Sequence, residues 1–108
     1  MKFVIPYKFS LAGMNFVVEN VEEIEDGADY GEYSDLDNAI RLASTIKDDK
    51  DKVRTIKLHT KKNTFFHELI HVFQYYFNTK YDEAQAQVYA NFLMEFFQTA
   101  EYHEETND

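Results

Sequence analysis

At 108 residues, 44% of them hydrophobic and including ten Phe and eight Tyr, the chain can bury one compact core but hardly two. A formal net charge of −9 argues against nucleic acid as a partner, since a phosphate backbone is held by Lys and Arg, and the basic stretch from Lys47 to Lys62 is diluted by Asp48, Asp49 and Asp51. Cys is absent, which excludes disulfides, thiolate zinc sites and a Cys nucleophile, so any metal must be held by His and carboxylates.

The first ten residues, MKFVIPYKFS, hold too short an apolar run for a signal peptide, and no stretch approaches the ~20 apolar residues of a membrane span. A cytoplasmic protein with no membrane partner is expected. Lys2 to Phe9 and Met14 to Val21 are rich in aromatic and β-branched residues and read as strands, with Leu11-Ala12-Gly13 as the hairpin connection. An acidic loop follows. Between Glu19 and Asp37 stand nine Asp or Glu and neither Lys nor Arg, a composition that suits a solvated surface or one that attracts a basic substrate. Tyr30 to Tyr33 and Ala39 to Ser44 form further short strands in this reading, punctuated by Gly27, Gly31 and Asp37-Asn38. Val53 to Thr60 reads either as a strand or as the lead-in to a helix.

From about Lys61 to Asn78 the pattern turns helical. With successive residues ~100° apart, Phe65, Phe66, Leu69, Ile70, Val72, Phe73, Tyr76 and Phe77 share one apolar arc, opposite Asn63, Thr64, His67, Glu68, His71, Gln74 and Asn78. Thr60 is the expected N-cap. The polar side contains His67-Glu68-Leu69-Ile70-His71, an HExxH pattern. Residues four apart lie one above the other on a helix, so both imidazoles can reach one zinc ion at ~2.0–2.1 Å. Glu68, one step round the helix, is placed to accept a proton from an attacking water.

A tetrahedral site with a free position needs a third protein ligand. The extended metzincin pattern is absent, because Gln74 and Phe77 stand where Gly and His would be required. The second helix, from about Asp82 to His103 with Thr79 or Asp82 as cap, supplies the remaining acid. Glu83 borders an apolar arc of Ala86, Tyr89, Ala90, Phe92, Leu93, Met94, Phe96, Phe97 and Ala100, where a carboxylate is costly unless paired or metal-bound. Glu83 is therefore the expected third ligand and Asp82 the alternative. Asn78-Thr79-Lys80 suits the tight turn between the helices.

Thr64-Phe65-Phe66-His67-Glu68-Leu69-Ile70-His71 resembles the T-x-x-H-E-x-x-H helix of the gluzincin metallopeptidases, particularly the ImmA/IrrE type. Glu83 to Leu93 is similar to that family's second helix, in which a ligand Glu is followed by Ala, an aromatic plus Ala, and Leu. Tyr30-Gly31-Glu32-Tyr33 and Ala39-Ile40-Arg41-Leu42 look like the short strands of small phage- or prophage-encoded relatives. The resemblance implies zinc on His67, His71 and Glu83, Glu68 as general base, and hydrolysis of a peptide bond in a protein substrate.

The fold expected is α+β: one domain over residues 1–108, a small antiparallel sheet within 1–60 and two packed helices within 61–103. Ala39 to Ser44 is the strand expected to align an extended substrate by edge pairing. Tyr75, Tyr81, Tyr89 and His103 are weighed for an oxyanion role, and His59 is assigned to the surface. The competing class is a non-catalytic, phage-type interaction protein that retains zinc for stability, although such a site has no use for Glu68. Processing of DNA-bound proteins, as in SprT-like peptidases, is disfavoured by the acidic charge.

Overall fold

A computed structural model of the chain describes residues 3–77 and 79–105. Lys2, the expected start of the first strand, and Asn78, part of the expected turn, lie outside the described residues. The fold is α+β, a small sheet followed by two packed helices.

Strand β1 (Lys8–Leu11) and strand β2 (Met14–Val21) form an antiparallel hairpin closed by the pair Leu11 and Met14. Ala12 and Gly13 make the two-residue turn with φ of 50° and 78°, the left-handed pair whose twist matches the strands it joins. A short 3-10 turn, Glu25–Gly27, carries the chain through the acidic segment to β3 (Gly31–Ser34), which turns back into β4 (Ala39–Ala43).

The strand order is β1-β2-β4-β3. β4 enters between its predecessors, antiparallel to β3 and parallel to β2, so the sheet is mixed where an antiparallel one was expected. Burial explains the placement. Ala39, Ile40, Leu42 and Ala43 are all buried, which suits a strand flanked on both edges, whereas β3 is partly exposed throughout and takes the rim. Ala39 to Ser44 therefore has no free edge for a substrate; β3 does. On the outer face Glu19, Arg41 and Glu32 are in register, and the Arg41 guanidinium binds Glu19 at 3.1 Å, Glu32 at 3.2 Å and Asp37 at 2.6 Å.

β5 (Thr45–Lys47) and β6 (Val53–Thr55) form a separate two-stranded ribbon, and Ile24, Ala43 and Ile56 pack beneath it. Val53 to Thr60 thus divides between the two readings of it: a strand to Thr55, then a helix from Leu58.

Helix α1 (Leu58–Tyr76) begins three residues earlier than a Thr60 cap allows. Lys57 occupies the cap position without a side-chain bond, and the carbonyl of Thr60 already accepts the Thr64 hydroxyl at 2.9 Å. Helix α2 (Glu83–Thr99) is capped by Asp82, whose carboxylate accepts the Gln85 N–H at 2.9 Å, and it stops four residues short of His103.

The main core joins Phe16, Val18, Ile40 and Leu42 of the sheet to Phe65, Phe66 and Val72 of α1 and to Ala90 and Met94 of α2. Ala86 and Ala90 are fully buried, and their small side chains let the helices approach closely. α2 packs chiefly on α1, with little of it reaching the sheet. That is why Tyr89, Phe92 and Phe96, placed on the apolar arc by periodicity, stand exposed, Phe92 at 65%. Phe77 is likewise exposed, and Tyr76, at the border of exposure, packs edge-on against Phe16 of β2 with ring centroids 5.7 Å apart. No helix among the described residues is long and apolar enough to cross a membrane.

Candidate metal centre

One turn of α1 and the first residue of α2 meet over the rim of the sheet. His67, His71 and Glu83 each offer a ligand atom, and these atoms lie within 4.8 Å of one another. The Nε2 atoms of His67 and His71 are 3.2 Å apart; Glu83 Oε1 lies 3.0 Å from the first and in direct contact with the second. The two acids left open by the sequence thus occupy different positions: Asp82 is engaged in capping, while Glu83, one residue on, turns its carboxylate to the histidines.

The tautomers of both rings follow from their other nitrogens. Gln74 Nε2 donates to the Asp82 carbonyl at 3.1 Å and to Gln85 Oε1 at 2.8 Å, which leaves Gln74 Oε1 to accept from His71 Nδ1 at 2.7 Å. Gln87 Nε2 donates to Asn63 and Asn91, so Gln87 Oε1 accepts from His67 Nδ1 at 2.9 Å. With both Nδ1 atoms protonated, two Nε2 lone pairs and a carboxylate oxygen converge on one point. A single proton can bridge only one pair of these acceptors, whereas a divalent cation satisfies all of them. Two imidazoles and one carboxylate also form a donor set suited to zinc.

Glu68 is buried on the adjacent side of α1, and its desolvation pushes the carboxyl up to about 7, against the opposing pull of His67 and His71. For Glu83, burial also works against ionisation, but its contacts with the His67 and His71 rings and with Tyr81 outweigh it and hold the carboxyl below its usual range. The Tyr81 ring stacks on His71 with centroids 4.3 Å apart and planes 6° from parallel. Burial, together with the bond to Glu83, pushes its hydroxyl up to about 12.

A cleft of ≈ 830 Å³ opens beside these groups, between β3 and the two helices. Asp29, Glu32, Asp35, Glu68 and Glu83 line it with Tyr33, Tyr75 and Tyr81, and no Lys or Arg is among its described lining residues. A smaller cleft of ≈ 330 Å³ shares Asp29, Gly31, Glu68 and Glu83 and continues past His67 and Gln87. Tyr89 and His103 line neither, which removes them from oxyanion duty; His59 is exposed and meets Gln98 at 3.0 Å. Gly31 brings β3 against the polar side of α1, for a Cβ there would stand 2.5 Å from Thr64 Cγ2 and 3.4 Å from Glu68 Cγ.

Gln74 and Gln87 escaped the sequence reading as partners of the histidines. The available signal was spacing: Gln74 is three residues after His71, and Gln87 is four after Glu83, each within one helical turn of a ligand. Compared with known proteins, the chain matches no family model, no curated protein and no solved structure.

Proposed function

We propose that the protein is a zinc-dependent peptidase that cleaves an extended, basic segment of a protein substrate in the cytoplasm. The convergence of His67 Nε2, His71 Nε2 and Glu83 Oε1 beside a buried, unligated Glu68 carries this reading. The resemblance of the segment from Thr64 to Leu93 to gluzincins of the ImmA/IrrE type points the same way.

His67, His71 and Glu83 would hold the ion. When bound, zinc would supply Lewis acidity to polarise the scissile carbonyl and acidify a water. Glu68 takes the proton of the attacking water on its carboxylate and passes it to the nitrogen of the departing amine. A carboxyl whose affinity for protons is raised by burial suits both halves of that transfer. Tyr81 braces His71 and Glu83 from the cleft side.

The free edge of β3 supports an extended substrate. Because the Ala43 N–H bonds the Tyr30 carbonyl, the antiparallel alternation turns the backbone groups of Gly31 and Tyr33 away from β4. Both residues line the cleft, so a peptide paired with them runs past Glu68. The carboxylates of Asp29 and Asp35 and the faces of Tyr33 and Tyr75 favour Lys or Arg side chains on that peptide.

The deciding experiment measures metal content for the wild type, His67→Ala and Glu68→Gln, followed by a cleavage screen on cellular protein. Glu68→Gln is expected to keep its metal and lose cleavage. Equal cleavage by Glu68→Gln and wild type overturns the catalytic reading, and metal without any cleavage in the wild type selects the non-catalytic zinc-binding alternative.

A further inference from the structure

Gln74 is 4% exposed, an uncharged polar side chain buried on a helix whose other buried polar groups are His71 and Glu68. Every polar atom of its carboxamide is used. Oε1 faces His71 Nδ1 at 2.7 Å and the Asp82 N–H at 3.4 Å, while Nε2 reaches the Asp82 carbonyl at 3.1 Å and Gln85 Oε1 at 2.8 Å. Its own backbone carbonyl accepts the Thr79 N–H at 3.0 Å, closing the turn between the helices.

We infer that Gln74 is a positioning residue that locks His71 in its Nδ1–H tautomer and ties that ring to the start of α2, so that Glu83 and His71 are set against one ion together. The inference rests on the metal centre proposed above. Its logic is directional. The Asp82 carbonyl can only accept, so Nε2 must face it; Oε1 then faces His71; the proton must sit on Nδ1; and the Nε2 lone pair of His71 is left for the ion.

His67 has no equivalent anchor. Its partner Gln87 is exposed and is oriented by Asn63 and Asn91, themselves carboxamides that can rotate in concert with it. A backbone carbonyl cannot exchange donor for acceptor; a chain of amides can. The two histidines are thus held unequally, and Gln74 has the stronger grip.

The test compares Gln74→Met, Gln87→Met and Gln85→Met with wild type at a pH where imidazole is neutral. Long-range 15N–1H correlations in the metal-free proteins report the tautomer of His71, and competition with a chromophoric chelator reports zinc affinity. Wild type is expected to show His71 as Nδ1–H. Gln74→Met should populate the Nε2–H form and bind zinc about 10- to 100-fold more weakly. Gln87→Met should leave the His71 tautomer unchanged. Should Gln74→Met fail to fold, exposed Gln85→Met removes one anchor of the Gln74 amide and is expected to weaken zinc several-fold.

A Gln74→Met protein that keeps the wild-type tautomer or zinc affinity overturns the inference, as does a Gln85→Met protein with unchanged affinity if that variant must stand in. A wild-type chain that takes up no zinc overturns the metal centre itself, a result separable from either.

Discussion

Gly31 and Thr64 approach so closely that a methyl group on Gly31 would lie 2.5 Å from Thr64 Cγ2. The contact seats the rim strand on the helix that carries Glu68 and sets the width of the cleft between them. Gly31→Ala is expected to destabilise the fold by about 1–3 kcal/mol through overpacking and to lower cleavage further by displacing the substrate edge. Thr64→Ser removes the offending methyl while keeping a hydroxyl for the Thr60 carbonyl, so the double variant should recover part of the loss. Urea unfolding of the four proteins checks this; absence of any rescue would show that the strain lies elsewhere.

Asp82 and Glu83 are adjacent acids with separable duties. Asp82→Ala should cost about 1 kcal/mol of stability by removing the cap and leave zinc stoichiometry intact. Glu83→Gln should weaken zinc binding strongly and leave the metal-free fold close to wild type. Zinc at a hundredfold excess over its Kd should stabilise the wild type by about 2.7 kcal/mol and Glu83→Gln by much less at the same concentration. Thermal melts with and without zinc distinguish these outcomes, and the reverse pattern would assign the ligand to Asp82.

Glu68 makes the metal-free protein sensitive to alkali. Its carboxyl is raised from 4.5 to about 7 in the fold, so the folded state binds the proton more tightly than the unfolded state. The corresponding stabilisation is fully present below about 4.5 and is lost as pH rises through about 7. In full it is on the order of 3 kcal/mol, of which about 2–3 kcal/mol is lost between pH 5 and pH 8. Urea unfolding of metal-free wild type and Glu68→Gln at pH 5 and pH 8 isolates the effect: the difference between the two proteins should shift by that amount in favour of Glu68→Gln at the higher pH. A difference independent of pH would place Glu68 in contact with solvent.

The HExxH turn, the Asp82 cap and the Ala12-Gly13 turn of the first hairpin were legible in the sequence because each depends on short-range spacing, although β1 runs from Lys8 through Leu11 where a strand from Lys2 to Phe9 was expected. Four residues bring His67 over His71, and an Asp before a helical run meets an orphan N–H. What escaped depends on contacts distant in the chain. Turn residues mark off β4 as a strand but say nothing of which strands flank it, so its parallel pairing with β2 could not be read. Helical periodicity gives α2 an apolar arc but does not say whether a sheet lies opposite; here α1 covers only part of it, and Phe92 and Phe96 face outward. Gln74 looked like surface because Gln generally is. Its burial becomes affordable only when His71, Gln85 and the Asp82 carbonyl are all brought within its reach.

Asp35 offers a test of substrate charge. It lines the larger cleft beside Tyr75 and Tyr33. Asp35→Asn is expected to lower kcat/KM for a Lys- or Arg-bearing peptide by roughly 3- to 10-fold and to leave a neutral peptide unaffected. The difference should shrink as ionic strength rises. Equal losses on both peptides would assign Asp35 to structure alone.

Arg41 acts as a rivet through the sheet, its guanidinium spanning Glu19 on β2 and Glu32 on β3 while reaching Asp37 in the turn. It lies on the face turned away from the helices, yet it secures the strand that forms one wall of the cleft. Salt should therefore loosen that wall by screening the rivet, whereas a chelator would strip the ion from the proposed centre across the groove. On that proposal, one half of the groove would answer to ionic strength and the other to metal supply, so the two could be weakened independently of each other.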